Sequence, residues 1–439
     1  MAIAEIHDRI VDALSKGLWC CGIFLDLSKA FDTLDHKILL HKLYLSGIRG
    51  KAYEWINSYL SNRKQITALP EDLNRTNKPK QHFNRLISAN GKEVYSTEKN
   101  CKCGVPQGSV LGPILFLIYI NDLPKNIKIA TPLLFADDTN LLFKNKNLEN
   151  LEMSINQELK IINDWFRANK LSLNANKTKY ILFHTKQKAK SITPINLILS
   201  ETSIERVQTT KFLGIALNEN LSWEPHINTV ASKIGYALYH MYRLKHELPT
   251  STLKLLYHGL IHPHLTYGLL TWGSCSITNK QQFERLEILQ KKAVRMITGA
   301  SFLDHSEPLF SKMGILKLKD LFALQCVKLY GQVRHGKCPP YHSQNLIQQS
   351  HSRTMRNEYN LFIKSVKLTL SKESINYKVS TIWNKLPNHI KNINTYQSSM
   401  KQQLVKTSQY FFSQYQSSPQ CSLYPNCYSC GRHQISSFS

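Results

Sequence analysis

Long apolar runs and a secretory leader are both missing from this sequence. The longest apolar run, Ile114–Ile120, has seven residues, whereas a membrane-spanning helix needs about 20. The first 19 residues carry the acids Glu5, Asp8 and Asp12 and no clean apolar stretch, so they do not resemble a secretory signal. These absences argue against a membrane protein and against secretion, and they place the chain in the nucleus or the cytoplasm.

Cysteine is also sparse. Ten cysteines in 439 residues fall short of the density of a secreted disulfide scaffold. The last three and a following histidine form Cys-x5-Cys-x2-Cys-x2-His, which is a zinc-compatible ligand set with an unusual spacing. These residues are Cys421, Cys427, Cys430 and His433. The alternative is a Ser-rich tail that happens to hold three thiols.

Acidic side chains are outnumbered almost two to one. Lys and Arg total 56 against 30 Asp and Glu, which gives a formal charge of +26. A hydrophobic fraction of 42% with 20% charged residues is ordinary for a folded protein. The excess of positive charge predicts a large polyanion as partner, and nucleic acid fits better than an anionic membrane.

The pair Asp137 and Asp138 stands between two apolar runs within Leu133–Phe143. Each run suits a buried strand and Ala136–Asn140 suits the turn, so a hairpin would hold two carboxylates side by side. Such close like charges leave three outcomes: one acid is protonated, solvent screens both, or a divalent cation lies between them.

Two further features precede this pair. A short strand, Ile23–Leu25, ends at Asp26, and helical spacing then extends from Ser28 to Gly47. The loop Gly104–Pro113 packs three glycines and two prolines into ten residues just before an apolar run. If Asp26 lies beside the hairpin, three carboxylates converge, which is enough to hold two Mg²⁺ ions about 3.5–4 Å apart. Such a site suits phosphoryl transfer.

The rest of the chain divides into an α/β part and a helical part. The first part contains a helix at Tyr53–Leu60, a polar surface insertion at about 68–102, an amphipathic helix at Leu148–Phe166, and strands at Tyr180–Phe183 and Lys211–Leu217. The second part contains helices at Glu224–Lys245, Thr250–Gly259 and Gln281–Thr298. Residues 301–415 are helical in pattern and Lys-rich, and 416–439 form a tail predicted to be disordered.

Several of these segments resemble the motifs of reverse transcriptases. Motifs A, B and C are similar to Phe24–Asp32, Gly104–Pro113 and Phe135–Asp138. Motif D is similar to Leu173–Thr178, and motif E, the primer grip, is similar to Lys211–Ile215. The detailed residue pattern of these motifs, together with the segment Tyr119-Ile120-Asn121-Asp122-Leu123-Pro124, resembles that of the enzymes of non-LTR (LINE-type, Jockey-like) retrotransposons.

The resemblance implies an α+β fold. Its centre would be a right-hand polymerase palm, an antiparallel sheet backed by helices, with incomplete fingers. Residues 1–217 would form the palm and residual fingers, 218–300 an all-α thumb, and 301–415 a basic helical region. The family pattern also implies a fingers region upstream and an endonuclease. Since only 25 residues precede Asp26, we interpret the chain as truncated at its N-terminus.

The resemblance assigns the metal site and the leaving-group acid. Asp26 and Asp137 would bind both Mg²⁺ ions, for which Mn²⁺ can substitute, Asp138 would support them, and the carbonyl of Leu27 would be a further ligand. Lys177 would protonate the departing pyrophosphate. A solvated lysine is the ordinary alternative for Lys177.

The resemblance also assigns the substrate contacts. Phe31 would be a steric gate that excludes a ribose 2′-hydroxyl, although a core aromatic of an amphipathic helix is the alternative. Gln107 and Gly108 would line the nascent base pair. The primer grip would be made by a group of three consecutive residues, Phe212, Leu213 and Gly214.

The implied activity is RNA-directed DNA synthesis by two-metal nucleotidyl transfer from a dNTP to a primer 3′-OH. The implied partners are an RNA template and a DNA primer or target, in a nuclear or cytoplasmic ribonucleoprotein. The alternative is a catalytically silent retrotransposon remnant that binds nucleic acid but lacks fingers and endonuclease.

Overall fold

The computed structural model describes residues 1–70, 93–185, 187–191, 193–273, 280–347, 360–366, 368–386 and 391. Within these residues the strands are β1 (Trp19–Leu25), β2 (Lys64–Gln65), β3 (Ala68–Pro70), β4 (Glu93–Tyr95), β5 (Lys99–Asn100), β6 (Thr131–Phe135), β7 (Asp138–Asn145), β8 (Lys179–Phe183), β9 (Ile198–Leu199), β10 (Thr202–Ser203), β11 (Glu205–Arg206), β12 (Thr209–Phe212) and β13 (Ile215–Asn218).

The α-helices alternate with these strands at first and then follow one another. They are α1 (Ala2–Ser15), α2 (His36–Leu45), α3 (Lys51–Leu60), α4 (Leu111–Ile120), α5 (Leu123–Asn126), α6 (Leu148–Ala168), α7 (Glu224–Leu244), α8 (Thr250–Leu256), α9 (His262–Thr266), α10 (Leu269–Trp272), α11 (Lys280–Thr298), α12 (Ser306–Met313), α13 (Leu318–Arg334), α14 (Pro340–Asn345) and α15 (Ile375–Lys385). A π-helical turn, Tyr257–Ile261, joins α8 to α9.

A five-stranded sheet lies at the centre, in the order β11-β8-β1-β7-β6. Strand β1 pairs antiparallel with β7 on one side and with β8 on the other. Strand β6 pairs antiparallel with β7, and only the short β11 runs parallel to its neighbour. The prediction of a mainly antiparallel sheet backed by helices is therefore confirmed.

Both faces of this sheet are covered, because alternate side chains of a strand point to opposite faces. Cys21, Ile23 and Leu25 of β1 join the core formed with α2, α4 and α6. Cys20 joins the other core, which includes residues of α1, α7, α11, α13 and α15. The sheet thus separates two apolar layers, and β1 is buried between them.

The helix predicted from Ser28 begins only at His36, so this prediction was wrong at its start. The side chain of Asp35 accepts hydrogen bonds from the backbone N–H groups of Lys37 and Ile38, which makes Asp35 the N-cap. Residues 28–32 form turns instead. The alternative for Phe31 is therefore incorrect in placing it in an amphipathic helix, although its ring does pack against the core.

The predicted strand Lys211–Leu217 is also incorrect, because it is a hairpin. Strands β12 and β13 pair antiparallel around a two-residue turn, Leu213–Gly214. Both turn residues have positive φ, 45° and 77°, and glycine adopts this conformation readily. Strand propensity alone did not indicate the reversal.

The helix predicted at Thr250–Gly259 is shorter than expected, since α8 ends at Leu256 and a π-helical turn follows. The other predicted helices and strands are present with shifts of a few residues. Most of the polar insertion at 68–102, the region after 391, and the cysteine–histidine tail lie outside the described residues. The zinc and disorder predictions therefore stay predictions.

Helix α1 packs inside the molecule rather than at its surface. Its buried residues Ile6, Ile10 and Leu14 belong to the same apolar core as residues of α7, α13 and α15. The carboxylate of Asp8, 2% exposed, accepts hydrogen bonds from the backbone N–H groups of Ile375 (2.6 Å) and Asn376 (3.1 Å). A side chain of α1 thus caps α15 across 367 residues.

In the part of the chain that the structure describes, no helix combines the length and the apolar character that crossing a membrane requires.

Candidate active site

A tight hairpin carries the two adjacent aspartates. Strands β6 and β7 are joined by Ala136 and Asp137, and Phe135 pairs with Asp138. The turn is therefore two residues long, and the residues from Asp138 to Asn140 that were expected in it belong to β7. Ala136 has a positive φ of 52°, a conformation that non-glycine residues rarely adopt and that concentrates at functional sites.

Asp26 lies next to this hairpin. Leu25, the last residue of β1, pairs with Thr139, so Asp26, which follows β1, lies beside the start of β7 where Asp138 stands. The pKa of Asp138 is raised, first by burial and then by the charges of Asp137 and Asp26. The structure thus brings Asp26 together with the adjacent pair Asp137 and Asp138, which follow it in the sequence by more than 100 residues.

The donor chemistry of this cluster suits a hard divalent cation, because Mg²⁺ prefers carboxylate oxygens. A cation would also relieve the repulsion that raises the pKa of Asp138. Asp26 is half-buried, while Asp137 and Asp138 keep part of their surface in contact with solvent. Among the described residues, however, no three His, Cys, Asp or Glu side chains are arranged as a preformed metal-binding group.

The segment that resembles motif D holds Asp26 in place. The backbone N–H of Asn174 donates to the carbonyl of Asp26 at 2.9 Å, and the N–H of Asp26 donates to the hydroxyl of Thr178 at 3.4 Å. Lys177 Nζ lies 4.0 Å from Asp26 Oδ2, with 70% of its side chain exposed. The predicted Lys177 therefore lies beside the cluster, and Thr178 is a supporting residue for which no individual role was predicted.

The glycine-rich loop is bonded to the turn that follows Asp26. Gly104 N–H donates to Leu34 O and Val105 N–H donates to Phe31 O, both at 2.8 Å. At Gly104, where φ is +82°, an added Cβ would lie 2.6 Å from the carbonyl oxygen of Asp32. Only glycine fits such an approach between two backbones, which explains the glycine at this point of the loop.

The turn that includes Asp32 also positions Gln107. Its Nε2 donates to Asp32 Oδ1 at 3.1 Å, and both side chains are exposed. Gly108, also at φ +82°, has open space where a Cβ would be. Asp32 was overlooked as a functional residue, although its place six residues after Asp26 could have indicated a second polar group near the cluster.

Phe31 and Leu27 also contact residues outside the glycine-rich loop. The ring of Phe31 is half-buried and packs against Phe116, with ring centroids 4.9 Å apart. Leu27 forms an isolated antiparallel bridge with Leu173. The contacts of both residues fix the backbone just after Asp26.

The hairpin β12–β13 approaches the sheet through its apolar residues. Phe212 is 2% exposed and its ring lies 6.2 Å from that of Phe24. The carbonyl of Leu213 accepts a hydrogen bond of 2.6 Å from the hydroxyl of Tyr267. Tyr267, which the sequence did not indicate, therefore ties this turn to the helical part of the chain.

A mainly antiparallel sheet with clustered aspartates at its strand ends, backed by helices, defines a polymerase-type palm. Residues 3–217 match the family described as reverse transcriptase (RNA-dependent DNA polymerase). This part of the chain belongs to the reverse transcriptase family, which generally uses divalent metals.

Two curated relatives come from mobile elements of Drosophila melanogaster. The chain is 25% identical over 313 residues to the probable RNA-directed DNA polymerase from transposon X-element, covering 68% of this chain and 31% of that protein. It is 26% identical over 323 residues to the RNA-directed DNA polymerase from mobile element jockey, covering 71% and 32%. The predicted similarity to Jockey-like enzymes is confirmed, and the chain spans about a third of the length of these relatives.

Solved structures of telomerase are also similar. The apo telomerase of Candida tropicalis matches with a TM-score of 0.31 and 14% identity, over 74% of this chain and 49% of that one. Telomerase from Candida albicans, in complex with a fragment of telomeric RNA, matches with a TM-score of 0.28 and 11% identity, over 76% and 52%.

Proposed function

We propose that this chain is the polymerase portion of a non-LTR retrotransposon protein and copies an RNA template into DNA. The reaction transfers a nucleotide from a dNTP to the 3′-OH of a DNA primer. The observation that carries the proposal is the cluster of Asp26, Asp137 and Asp138 at the strand ends of a sheet within a reverse transcriptase domain. The expected setting is a ribonucleoprotein in the nucleus or cytoplasm.

Asp26 and Asp137 would hold two Mg²⁺ ions, or Mn²⁺ in their place. Asp138 would support them, and the carbonyl of Leu27 would add a ligand. When bound, such ions activate the attacking hydroxyl and neutralise charge on the departing pyrophosphate. The protein's own share is to hold the carboxylates in place: Thr178 and the backbone of Asn174 fix the chain at Asp26.

The incoming nucleotide would lie between the turn after Asp26 and the glycine-rich loop. Phe31 would restrict the sugar to one without a 2′-hydroxyl, and its contact with Phe116 limits its freedom to move aside. Gln107 and Gly108 would line the nascent base pair, with Asp32 orienting Gln107. Lys177 would donate a proton to pyrophosphate from its position beside Asp26.

The primer would be held at the turn Leu213–Gly214. Since Phe212 is buried, its part would be to anchor the hairpin, while the exposed Gly214 would contact the primer. Helices within 218–300 would form a thumb whose basic side chains bind phosphates without reading sequence. Residues 301–415 would form a basic helical region that completes the fold around α1.

Primer extension on a primed RNA template tests this proposal. We expect the purified full chain to extend the primer with dNTPs and Mg²⁺, and the double variant Asp137→Asn, Asp138→Asn to lose this activity. Asp164→Asn, an exposed change on α6 that also removes a carboxylate, serves as the matched control and should extend normally. Template binding without extension by any of the three proteins would overturn the polymerase proposal and leave a silent nucleic-acid-binding remnant.

Shortening Phe31 should relax sugar selection. Phe31→Ala removes the ring that would meet a 2′-hydroxyl, so we expect the preference for dNTP over rNTP to fall by about 10- to 100-fold. Single-nucleotide incorporation with a dNTP and the matching rNTP gives this ratio directly. An unchanged ratio in a variant that still incorporates dNTPs would show that the gate lies elsewhere.

A further inference from the structure

An exposed aromatic stack lies on α3, outside the site described above. The rings of Trp55 and Tyr59 are stacked with centroids 6.3 Å apart. Trp55 is 59% exposed, which is unusual for so large an apolar ring. The two residues are four apart in the helix and therefore share one face. Ile56 and Leu60 anchor the helix to the core, so the stack is held rigidly at the surface.

A guanidinium extends this stack. The side chain of Arg63 lies over the ring of Tyr59, 5.2 Å from its centroid. Within the described part of the chain, Arg63 forms no ion pair with an acid. A tryptophan face, a tyrosine face and a guanidinium plane thus follow one another at intervals of four residues. Flat side chains of this kind bind unpaired bases by stacking, whatever the base.

Positive charge continues from the stack towards the glycine-rich loop. The carbonyl of Arg63 accepts a 2.8 Å hydrogen bond from the N–H of Cys101, three residues before Gly104 in the sequence. The paired strands β2 and β5 add the exposed lysines Lys64 and Lys99 at this point, and Glu98 neutralises only Lys64. A basic track therefore connects the aromatic stack to the loop that holds Gln107.

We propose that Trp55, Tyr59 and Arg63 bind the single-stranded RNA template before it reaches the polymerase site. The bases would stack on the exposed ring of Trp55 and on the guanidinium of Arg63, both of which the half-buried Tyr59 supports. The phosphates would contact the basic track. This inference rests on the proposed function, since an RNA template defines which single strand arrives. The occupant is RNA because a reverse transcriptase keeps its unpaired template, rather than its product, ahead of the site.

Binding, rather than extension, tests this surface. The full chain, with Asp137→Asn and Asp138→Asn to prevent synthesis, is titrated with a primer–template duplex that has a single-stranded RNA overhang. Adding Trp55→Ala should weaken this binding by about 5- to 100-fold, while binding of the blunt duplex stays unchanged. Trp55→Phe keeps a flat ring and should retain most of the affinity.

Tyr44→Ala is the matched control. Tyr44 is 48% exposed, carries Arg49 over its ring at 4.6 Å and packs against Tyr53 of α3. Tyr53 and Trp55 are two residues apart, roughly 200° around the helix, so this second aromatic–arginine pair lies on another flank. Replacement of Tyr44 should leave binding of the overhang unchanged.

Several outcomes would overturn the proposal. The first is that the parent and Trp55→Ala proteins bind the duplex with the RNA overhang equally well. The second is that Trp55→Ala loses the same affinity for the overhang duplex as for the blunt duplex. A loss confined to a DNA overhang would assign the surface to DNA instead. A change of oligomeric state in Trp55→Ala, with RNA binding intact, would make it a protein interface. None of these results depends on catalysis, so the failure of this inference is distinguishable from failure of the proposed polymerase.

Discussion

Replacing Asp26 with asparagine is expected to lower the rate of primer extension by about 10³-fold, because a lost metal ligand removes several kcal/mol of charge stabilisation. The change keeps the shape of the side chain and its backbone contacts to Asn174 and Thr178. Single-turnover extension on primed RNA measures the effect. Asp164→Asn should extend at the parent rate.

The same substitution should not weaken the metal-free fold. Burial raises the pKa of Asp138 first, and the charges of Asp137 and Asp26 raise it further, so removal of the charge of Asp26 relieves a repulsion. The 4.0 Å pair with Lys177 is largely exposed and contributes little. We expect the unfolding midpoint of Asp26→Asn to equal or exceed that of the parent protein. A lower midpoint would mean that lost activity reflects lost structure.

Replacing Asp8 with alanine should have the largest effect on stability, a loss of about 2–5 kcal/mol in the free energy of unfolding. The carboxylate is buried and accepts bonds from the N–H groups of Ile375 and Asn376. Its removal leaves two backbone donors without a partner, each costing about 1–3 kcal/mol. The midpoint of urea-induced unfolding, followed by far-ultraviolet circular dichroism, measures the change.

Asp12→Ala is the control on the same helix. The side chain of Asp12 is 46% exposed and forms an i, i+4 pair with Lys16 at 2.7 Å, an interaction worth less than about 0.5 kcal/mol. The two variants should therefore differ clearly in urea midpoint. Equal midpoints would show that the cap on α15 contributes nothing measurable to stability.

The parts of the site that could be predicted from the sequence are those set by local patterns. Apolar runs that end at Asp26 and at Asp137 mark strand ends. The cluster of three aspartates is then expected if these strands are neighbours in the sheet. The start of α2 was missed because helical spacing in Ser28–Gly47 outweighed Asp35, whose N-cap signal was present in the sequence. The hydrogen bond from the backbone N–H of Val105 to the carbonyl of Phe31 instead holds the residues before α2 in a turn.

Other features depend on contacts that no local pattern encodes. The reversal at Leu213–Gly214 is held by the hydroxyl of Tyr267, 54 residues away. The role of Asp32 depends on Gln107, 75 residues away. Trp55 was interpreted only as part of a helix, because its exposure becomes visible only when Ile56 and Leu60 are placed in the core.

The hydrogen bonds between Asp8 and α15 cannot form until the ribosome has synthesised α15. At roughly 5–20 residues per second, the 367 residues between Asp8 and Ile375 take the ribosome roughly 20–70 s to produce. Throughout that interval the apolar face of α1 lacks its contacts with the residues of α15. Such a delay favours non-native association and chaperone capture, so completion of this core is expected to be a late, slow step in the maturation of the protein.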